Sequence, residues 1–341
     1  MRVLVTGATG LLGNNITRAL LAEGHDVKAL VRSLADARPF AGLRVERHQG
    51  QLEDLETLRE CMSDVDAVIH SAGYVKIGWS DYELARRVNV GGAMALAEIA
   101  RDRGIRMVHV STINTLGLAP DQGVADETTP VHDAVPCTYI RTKTEAEQKI
   151  HAEIERGLDA VIVHPSFMLG PWDWKPSSGS MLLEVIGRRP PLAPSGGISV
   201  ASAEDVAAGA LGALSKGRCG EHYILAGHNM SYLELWRKFA NLKGRPGAWG
   251  AMGPVLRWVV GTSGDLWAKV TGKESDINSA MLRMGAQFHY YSSEKAIREL
   301  GYQQRPLNET IQNAWMWFQD YSEVERGPLV QKAWNPNDDP S

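Results

Sequence analysis

The strongest constraint on the fold lies in the opening stretch, Val3-Leu4-Val5-Thr6-Gly7-Ala8-Thr9-Gly10-Leu11-Leu12-Gly13. A short apolar run precedes glycines spaced three apart, and Leu11, Leu12, Ile16 and Leu20 then recur at helical spacing. The string reads strand, tight turn, helix. Glycine lets a backbone approach a pyrophosphate closely, and the N-terminus of the helix offers it N–H groups and partial positive charge. The spacing is G-x-x-G-x-x-G rather than G-x-G-x-x-G, so the context carries more than the glycines do. It favours a dinucleotide site over a tight turn with no ligand, and Gly7, Thr9, Gly10, Leu11 and Leu12 are the candidate contacts.

Further apolar runs at Val27–Val31, Leu43–Val45, Ala67–Ile69, Met107–Val110 and Ala160–Val163 alternate with helix-patterned stretches. This alternation predicts an α/β fold with a doubly wound parallel sheet of the Rossmann kind. A run at His222–Leu225 follows a helix opening at Ser202, with Asp205 as its capping-box partner, and is expected to return to that sheet. The expected organisation is a dinucleotide-binding domain over residues 1–165 and about 196–228. A smaller, mainly helical substrate lobe fills about 166–195 and 229–326, and residues 327–341 form an extended tail. Within the lobe, one helix opens at Ser231 with Glu234 as capping partner, and another follows Pro306.

Charge and cysteine usage narrow the function classes. Among 341 residues the net charge is −4 and no basic block occurs, which argues against nucleic acid as a partner. No apolar run reaches the ~20 residues of a membrane span. The first strand begins at Arg2-Val3, leaving no room for a signal peptide. Cys61, Cys137 and Cys219 are scattered and odd in number, which fits a reducing compartment, so a cytoplasmic setting is expected. The histidines show no H-x-x-H or H-E-x-x-H spacing, so no metal is expected.

The second strand ends Leu30-Val31-Arg32-Ser33. The residue after this strand meets the adenosine ribose, where a carboxylate suits the 2′-hydroxyl of NAD and a guanidinium suits the 2′-phosphate of NADP. Arg32 and Ser33 therefore favour NADP(H), with NAD(H) as the alternative; the bland reading is a solvated arginine at a strand end. Gln51 and Leu52 follow strand three, with the Gln51 amide placed for an adenine edge. Strand four ends in the small residues Ser71-Ala72-Gly73, where a cofactor could pass close to the backbone, and Asn89 is placed to tie the following helix to that strand.

Strand five ends Val110-Ser111-Thr112-Ile113-Asn114, and Tyr139-Ile140-Arg141-Thr142-Lys143 lies on a later helix. Residues four apart share a helix face, so the Tyr139 hydroxyl and the Lys143 ammonium can converge. A phenol titrates near 10. A nearby ammonium is expected to pull it toward the working range for proton exchange with a carbonyl oxygen, with Thr112 hydrogen-bonding that oxygen.

In order and spacing, Thr6–Gly13, Asn89–Gly92, Ser111–Gly117 and Tyr139–Lys143 resemble the extended short-chain dehydrogenase/reductases of the NAD-dependent epimerase/dehydratase superfamily. Arg32-Ser33, Leu169-Gly170-Pro171 and Ser71–Trp79 are similar to its dihydroflavonol-reductase and hopanoid-associated sugar epimerase branch. The resemblance covers about the first 230 residues, and Ser293-Glu294-Lys295 and Glu299–Tyr302 are compatible with it. It implies that Tyr139 is the general acid/base, that Lys143 binds the nicotinamide ribose and tunes Tyr139, and that Thr112 is the hydroxyl partner. It adds Pro165 and Ser166 to the cofactor contacts, and a homodimer joined through the helix that carries Tyr139. The chain departs from the family pattern at Thr112 (commonly serine), at Gln51 (commonly aspartate) and at His164 before Pro165-Ser166. Family dehydratases carry Asp-Glu directly after the active-site threonine; Ile113-Asn114 here argues against sugar 4,6-dehydration.

In the lobe, Tyr74, Thr112, Asn114, Trp172 and Trp174 are the candidate substrate contacts. Trp249, Met252, Leu256, Trp258, Val259, Leu266 and Trp267 form an aromatic stretch that reads first as lobe core. The alternatives are an apolar pocket, or a peripheral contact of residues 249–270 with a partner or membrane surface, for which Arg257, Lys269 and Lys273 would suit anionic lipid. The function expected is NADPH-dependent carbonyl reduction or alcohol oxidation of a mainly apolar, cyclic or aromatic small molecule. The alternatives are an NAD-dependent sugar-nucleotide epimerase, with Lys175, Arg188, Arg189 and Arg283 as candidate diphosphate ligands, and a non-catalytic NAD(P)-binding regulator.

Overall fold

The computed structural model describes residues 1–132 and 134–325. Seven strands form one sheet: β1 (Arg2–Thr6), β2 (Asp26–Val31), β3 (Val45–Gln49), β4 (Ala67–His70), β5 (Arg106–Val110), β6 (Ala160–Pro165) and β7 (His222–Leu225). Every pairing is parallel, in the spatial order β7-β6-β5-β4-β1-β2-β3. Side chains alternate across a strand, so Val3 and Val5 enter one core and Leu4 the other. The helices Leu11–Ala22 and Ala203–Lys216 close the first core; Gly92–Arg103 and Thr138–Glu155 close the second. The strand order reverses between β1 and β4, and ligands of such sheets bind outside the carboxyl ends of the strands at that reversal.

Strand three differs from its sequence reading. It runs Val45–Gln49, not Leu43–Val45, and its side chains are only half covered because it is the sheet edge. An apolar run cannot mark a strand that faces water.

A second sheet is built around Gly197–Ser202, which pairs with Phe167–Leu169, His228–Ser231 and Phe288–His289. The return expected from about residue 196 thus starts with a strand of the smaller sheet, and the large sheet is regained only through the Ala203–Lys216 helix and β7. Ser202 caps that helix, its Oγ accepting from the Glu204 N–H at 3.3 Å. Asp205 is not a capping-box partner: it accepts the Arg305 N–H and Nε, each at 2.8 Å. The box at Ser231 and Glu234 forms as read. Leu182, Val185, Leu235, Phe239, Ile311 and Phe318 build the lobe core. The aromatic stretch does not belong to it, since Gly261 alone is buried in the helix Pro254–Thr271. The tail expected over 327–341 lies outside the described residues.

Candidate active site

Gly7 leaves β1 at φ +72°, a conformation glycine adopts without steric cost. A Cβ on Gly7 would lie 2.7 Å from the Ala72 nitrogen, and one on Gly13 would lie 2.1 Å from the Gly7 carbonyl oxygen. The turn therefore folds against the end of β4, and the first helix packs onto the turn, only with hydrogen at both positions. Gly10 caps the Leu11–Ala22 helix without a side-chain bond, and no acid occupies the first turn. The positive end of the helix is left for a ligand. Gly13→Ala is expected to destabilise the fold by about 3 kcal/mol through overpacking, read as a lower urea midpoint; an unchanged midpoint would contradict this packing.

The Ser71 hydroxyl donates to the Thr6 carbonyl at 2.7 Å, and the Ala72 N–H donates to Thr6 Oγ1 at 3.2 Å. Ser71, Ala72 and Gly73 thus form a shelf of small residues beside the glycine turn. On the other side of the strand reversal, Arg32 and Ser33 are exposed after β2, Gln51 is exposed after β3, and Leu52 is buried. Asp36, a carboxylate in the loop after β2, is gripped by Arg38 at 2.9 and 3.1 Å, which holds it below the usual carboxylate range. Pro165 closes β6, and the buried Ser166 hydroxyl has no hydrogen-bond partner among the described residues. An orphaned hydroxyl, a cradle that a Cβ would fill and an uncapped helix N-terminus fit a dinucleotide.

Tyr139 and Lys143 lie one turn apart on the Thr138–Glu155 helix. The Thr112 side chain lies close enough to the Tyr139 hydroxyl to lower its pKa. Lys143 Nζ donates to the Val110 carbonyl at 2.7 Å, and the Asn114 N–H donates to Thr112 Oγ1 at 3.3 Å. The expected lowering of the Tyr139 pKa is not found: burial pushes the phenol up to about 12, against a smaller lowering by Thr112, and burial brings Lys143 down to about 8. Desolvation is the largest cause, and Cys137 and Glu147 add smaller raising effects. At neutral pH Tyr139 is a phenol holding a proton to give.

Asn89 does tie the segment after β4 to its surroundings. It accepts the Tyr74 N–H at 2.7 Å and donates to the Tyr74 carbonyl and to Thr142 Oγ1, each at 3.0 Å. Tyr74 itself points its hydroxyl at Asp81, at 3.1 Å. The structure does not bring Trp172 and Trp174 to Tyr139. The Arg18 guanidinium lies 3.4 Å from the Trp172 ring centre, and Trp174 meets Trp317 edge-on at 5.4 Å. Trp317 stacks on Tyr321, whose hydroxyl accepts from Arg38 at 3.0 Å. The tryptophan loop therefore sits against the segment after β2.

One cluster escapes reading along the chain. His164 Nδ1 lies 3.0 Å from the Thr112 carbonyl, His164 Nε2 lies 2.7 Å from His222 Nδ1, and His222 Nε2 lies 2.7 Å from His151 Nε2. A carbonyl only accepts, so His164 donates from Nδ1; its Nε2 then accepts from His222, and His222 Nε2 accepts from His151. The donations thus run from His151 through His222 and His164 to the Thr112 backbone. Ser111 donates to the Glu147 carboxylate, whose pKa burial raises. Glu147, His164 and His222 place three potential ligand atoms within 4.8 Å of one another. The expectation of no metal, drawn from spacing along the chain, rested on too local a test. The available signal was sheet adjacency: β6 and β7 pair side by side, and each carries one of these histidines.

The fold and this geometry define a class: a doubly wound α/β protein with a glycine turn at the strand reversal and a Tyr–Lys pair one turn apart on a helix. The chain belongs to the NAD dependent epimerase/dehydratase family, whose sequence profile matches residues 3–226, as the motifs lead one to expect. It is 33% identical over 329 residues to "Sterol demethylase protein B" of Methylococcus capsulatus, covering 94% of this chain and 99% of that protein. It is 31% identical over 332 residues to a Synechocystis protein provisionally named dihydroflavonol 4-reductase, covering 94% and 95% of the two chains. Among solved structures, a nucleoside-diphosphate-sugar epimerase from Pseudomonas aeruginosa superposes with a TM-score of 0.77 at 25% identity, covering 94% of this chain and 98% of that one. Among the described residues no helix is long and apolar enough to cross a membrane.

Proposed function

We propose that the protein is an NADPH-dependent carbonyl reductase or alcohol dehydrogenase acting on a mainly apolar, cyclic or aromatic small molecule. One observation carries this reading. The Tyr139 phenol, close to the Thr112 side chain, packs against an apolar cluster of Val135, Cys137, Ile140, Ala280 and Met284, which suits an apolar substrate. A bound nicotinamide supplies hydride to the carbonyl carbon from its C4. Tyr139 gives its proton to the carbonyl oxygen as charge develops there, and the Thr112 hydroxyl helps to hold that oxygen. Lys143, fixed by the Val110 carbonyl, brings positive charge to the nicotinamide ribose, as the family resemblance implies. Two relatives whose names refer to sterol and dihydroflavonol, both polycyclic compounds, support the substrate class.

The epimerase reading needs free cations for a diphosphate. Of its candidates, Arg188 lies 3.8 Å from Glu184 and Lys175 acts on Asp36 in the loop after β2, whereas Arg189 and Arg283 form no ion pair among the described residues and keep the epimerase as the second reading. The preference for NADPH rests on exposed Arg32 and Ser33 beside an Asp36 already neutralised by Arg38. Arg32→Ala is expected to weaken NADPH more than tenfold, the loss of one charge-assisted hydrogen bond, and NADH by less than twofold. Fluorescence titration reads both; equal losses would mean that the 2′-phosphate is recognised elsewhere. The reading includes a cytoplasmic homodimer joined through the Thr138–Glu155 helix, which light scattering tests.

A further inference from the structure

The helix Pro254–Thr271 is built inside out. Its inward face consists of small residues: Gly261 packs on Ser279, Gly264 packs on the Ile277 backbone, and Asp265 accepts the Ser279 N–H at 3.0 Å. The large apolar side chains, Val255, Leu256, Val259, Leu266 and Val270, turn outward. Trp258 is 69% exposed, Trp267 is 62% exposed, and Trp249, just before the helix, is 83% exposed. Isolated exposed apolar residues are ordinary, but a continuous helical face of them marks an interaction surface.

The charges around it select the occupant. Lys269 and Lys273 are exposed at the end of the helix, and Arg189, Lys243 and Arg245 line the groove beside Trp249. None of these five forms an ion pair among the described residues. Asp265, the one acid of the helix, is turned inward onto Ser279. The chain as a whole carries −4, so this cationic rim runs against the global balance. A second copy docking by the same face would oppose cation to cation. An anionic bilayer meets every feature: tryptophans favour the headgroup level, an amphipathic helix lies in the interface plane with its apolar side immersed, and each surface cation adds attraction.

We propose that the protein docks peripherally on anionic membranes through the outward face of the Pro254–Thr271 helix, Trp249 and the flanking cations. This surface is joined to the site. Glu274, three residues past the helix, accepts from the Trp79 N–H and the Ser80 hydroxyl, each at 2.6 Å, and Ala280 and Met284 belong to the cluster beside Tyr139. The inference does not depend on the reaction catalysed, since Tyr139→Phe leaves the docking face untouched.

Sedimentation with vesicles of phosphatidylcholine alone, or with 3:1 phosphatidylcholine:phosphatidylglycerol, tests it at low salt (roughly a 10–30 Å screening length). Binding is expected to the mixed vesicles, weakly or not at all to the neutral ones, with tryptophan emission shifting to the blue. Replacing Trp258 and Trp267 together by serine should lower partitioning more than tenfold. The double variant Arg245→Gln, Lys269→Gln should lower it about 25-fold at ~1 kcal/mol per cation. Circular dichroism and NADPH binding confirm that the variants are folded. Absence of binding to mixed vesicles, or binding that survives both double variants, overturns the proposal. Self-association that disappears in the tryptophan variant, without vesicle binding, overturns it in favour of a second copy.

Discussion

Tyr139→Phe is expected to lower kcat for reduction of an apolar cyclic ketone about a thousandfold, within the range general acid catalysis contributes, while NADPH affinity changes less than about twofold. The variant removes one oxygen close to the Thr112 side chain, and the ring stays packed against the cluster of Val135, Cys137, Ile140, Ala280 and Met284, so the fold has little reason to respond. Lys143 is committed to the Val110 carbonyl at 2.7 Å, and the Thr112 backbone is held by His164 at 3.0 Å. Burial keeps the phenol protonated, up to about 12, which suits it to donate in the reductive direction. NADPH consumption at saturating ketone, set against a cofactor titration, separates the two effects. Unchanged turnover would remove Tyr139 from the chemistry.

Acid is expected to unfold the protein well before its carboxylates titrate. Burial lowers His164, His222 and His289 to about 4 and His70 to about 3, and puts His109 well below the ordinary histidine value. Neither ring nitrogen of His109 finds a partner among the described residues. These rings are neutral in the fold, whereas the unfolded chain binds their protons near 6.5, so the stability they contribute is whole above that pH and is lost as pH falls toward 4. A histidine moved to about 4 contributes about 2 kcal/mol of loss by pH 5 and about 3 by pH 4. Asp173, raised to about 6, and Glu147, also raised, act in the opposite sense. Five imidazoles outweigh two carboxyls, and the difference is comparable with the whole stability of a typical domain, about 5–15 kcal/mol. Lys143, Lys295 and His151 face His164 and strengthen the effect; Glu147 opposes it. Urea midpoints at pH 7, 6 and 5 should fall steadily, and His289→Gln should flatten the slope. Equal midpoints at pH 7 and 5 would contradict the burial of these rings as neutral groups.

The large sheet is legible in the sequence because strands buried on both faces must be apolar throughout, as at Val3–Val5 and Ala160–Val163. The same rule fails for β3, whose Glu46, Arg47 and His48 sit on an edge. Tyr139, Lys143 and Thr112 are legible through helical spacing and a strand end, yet the direction of the Tyr139 shift is not, because desolvation depends on what packs around the ring. Local hydrogen bonding predicts Ser231 with Glu234 but not Asp205 with Arg305, a hundred residues apart. The histidine array forms only when the parallel sheet sets β6 beside β7. The tryptophans mislead for one reason: a large apolar residue signals burial, and sequence does not say whether it packs inside the chain, as Trp174 does on Trp317, or stands exposed, as Trp258 does.

The most direct test of the proposed reaction is the identity and exchange of the nucleotide held by the purified protein. After release by denaturation, mass spectrometry should find NADP(H), or an empty site that binds NADPH and exchanges it freely, because a reductase must change its cofactor at every turnover. Stoichiometric NAD that survives dialysis would contradict this reading and favour an epimerase that recycles its cofactor in place, leaving Arg32 a solvated strand-end residue.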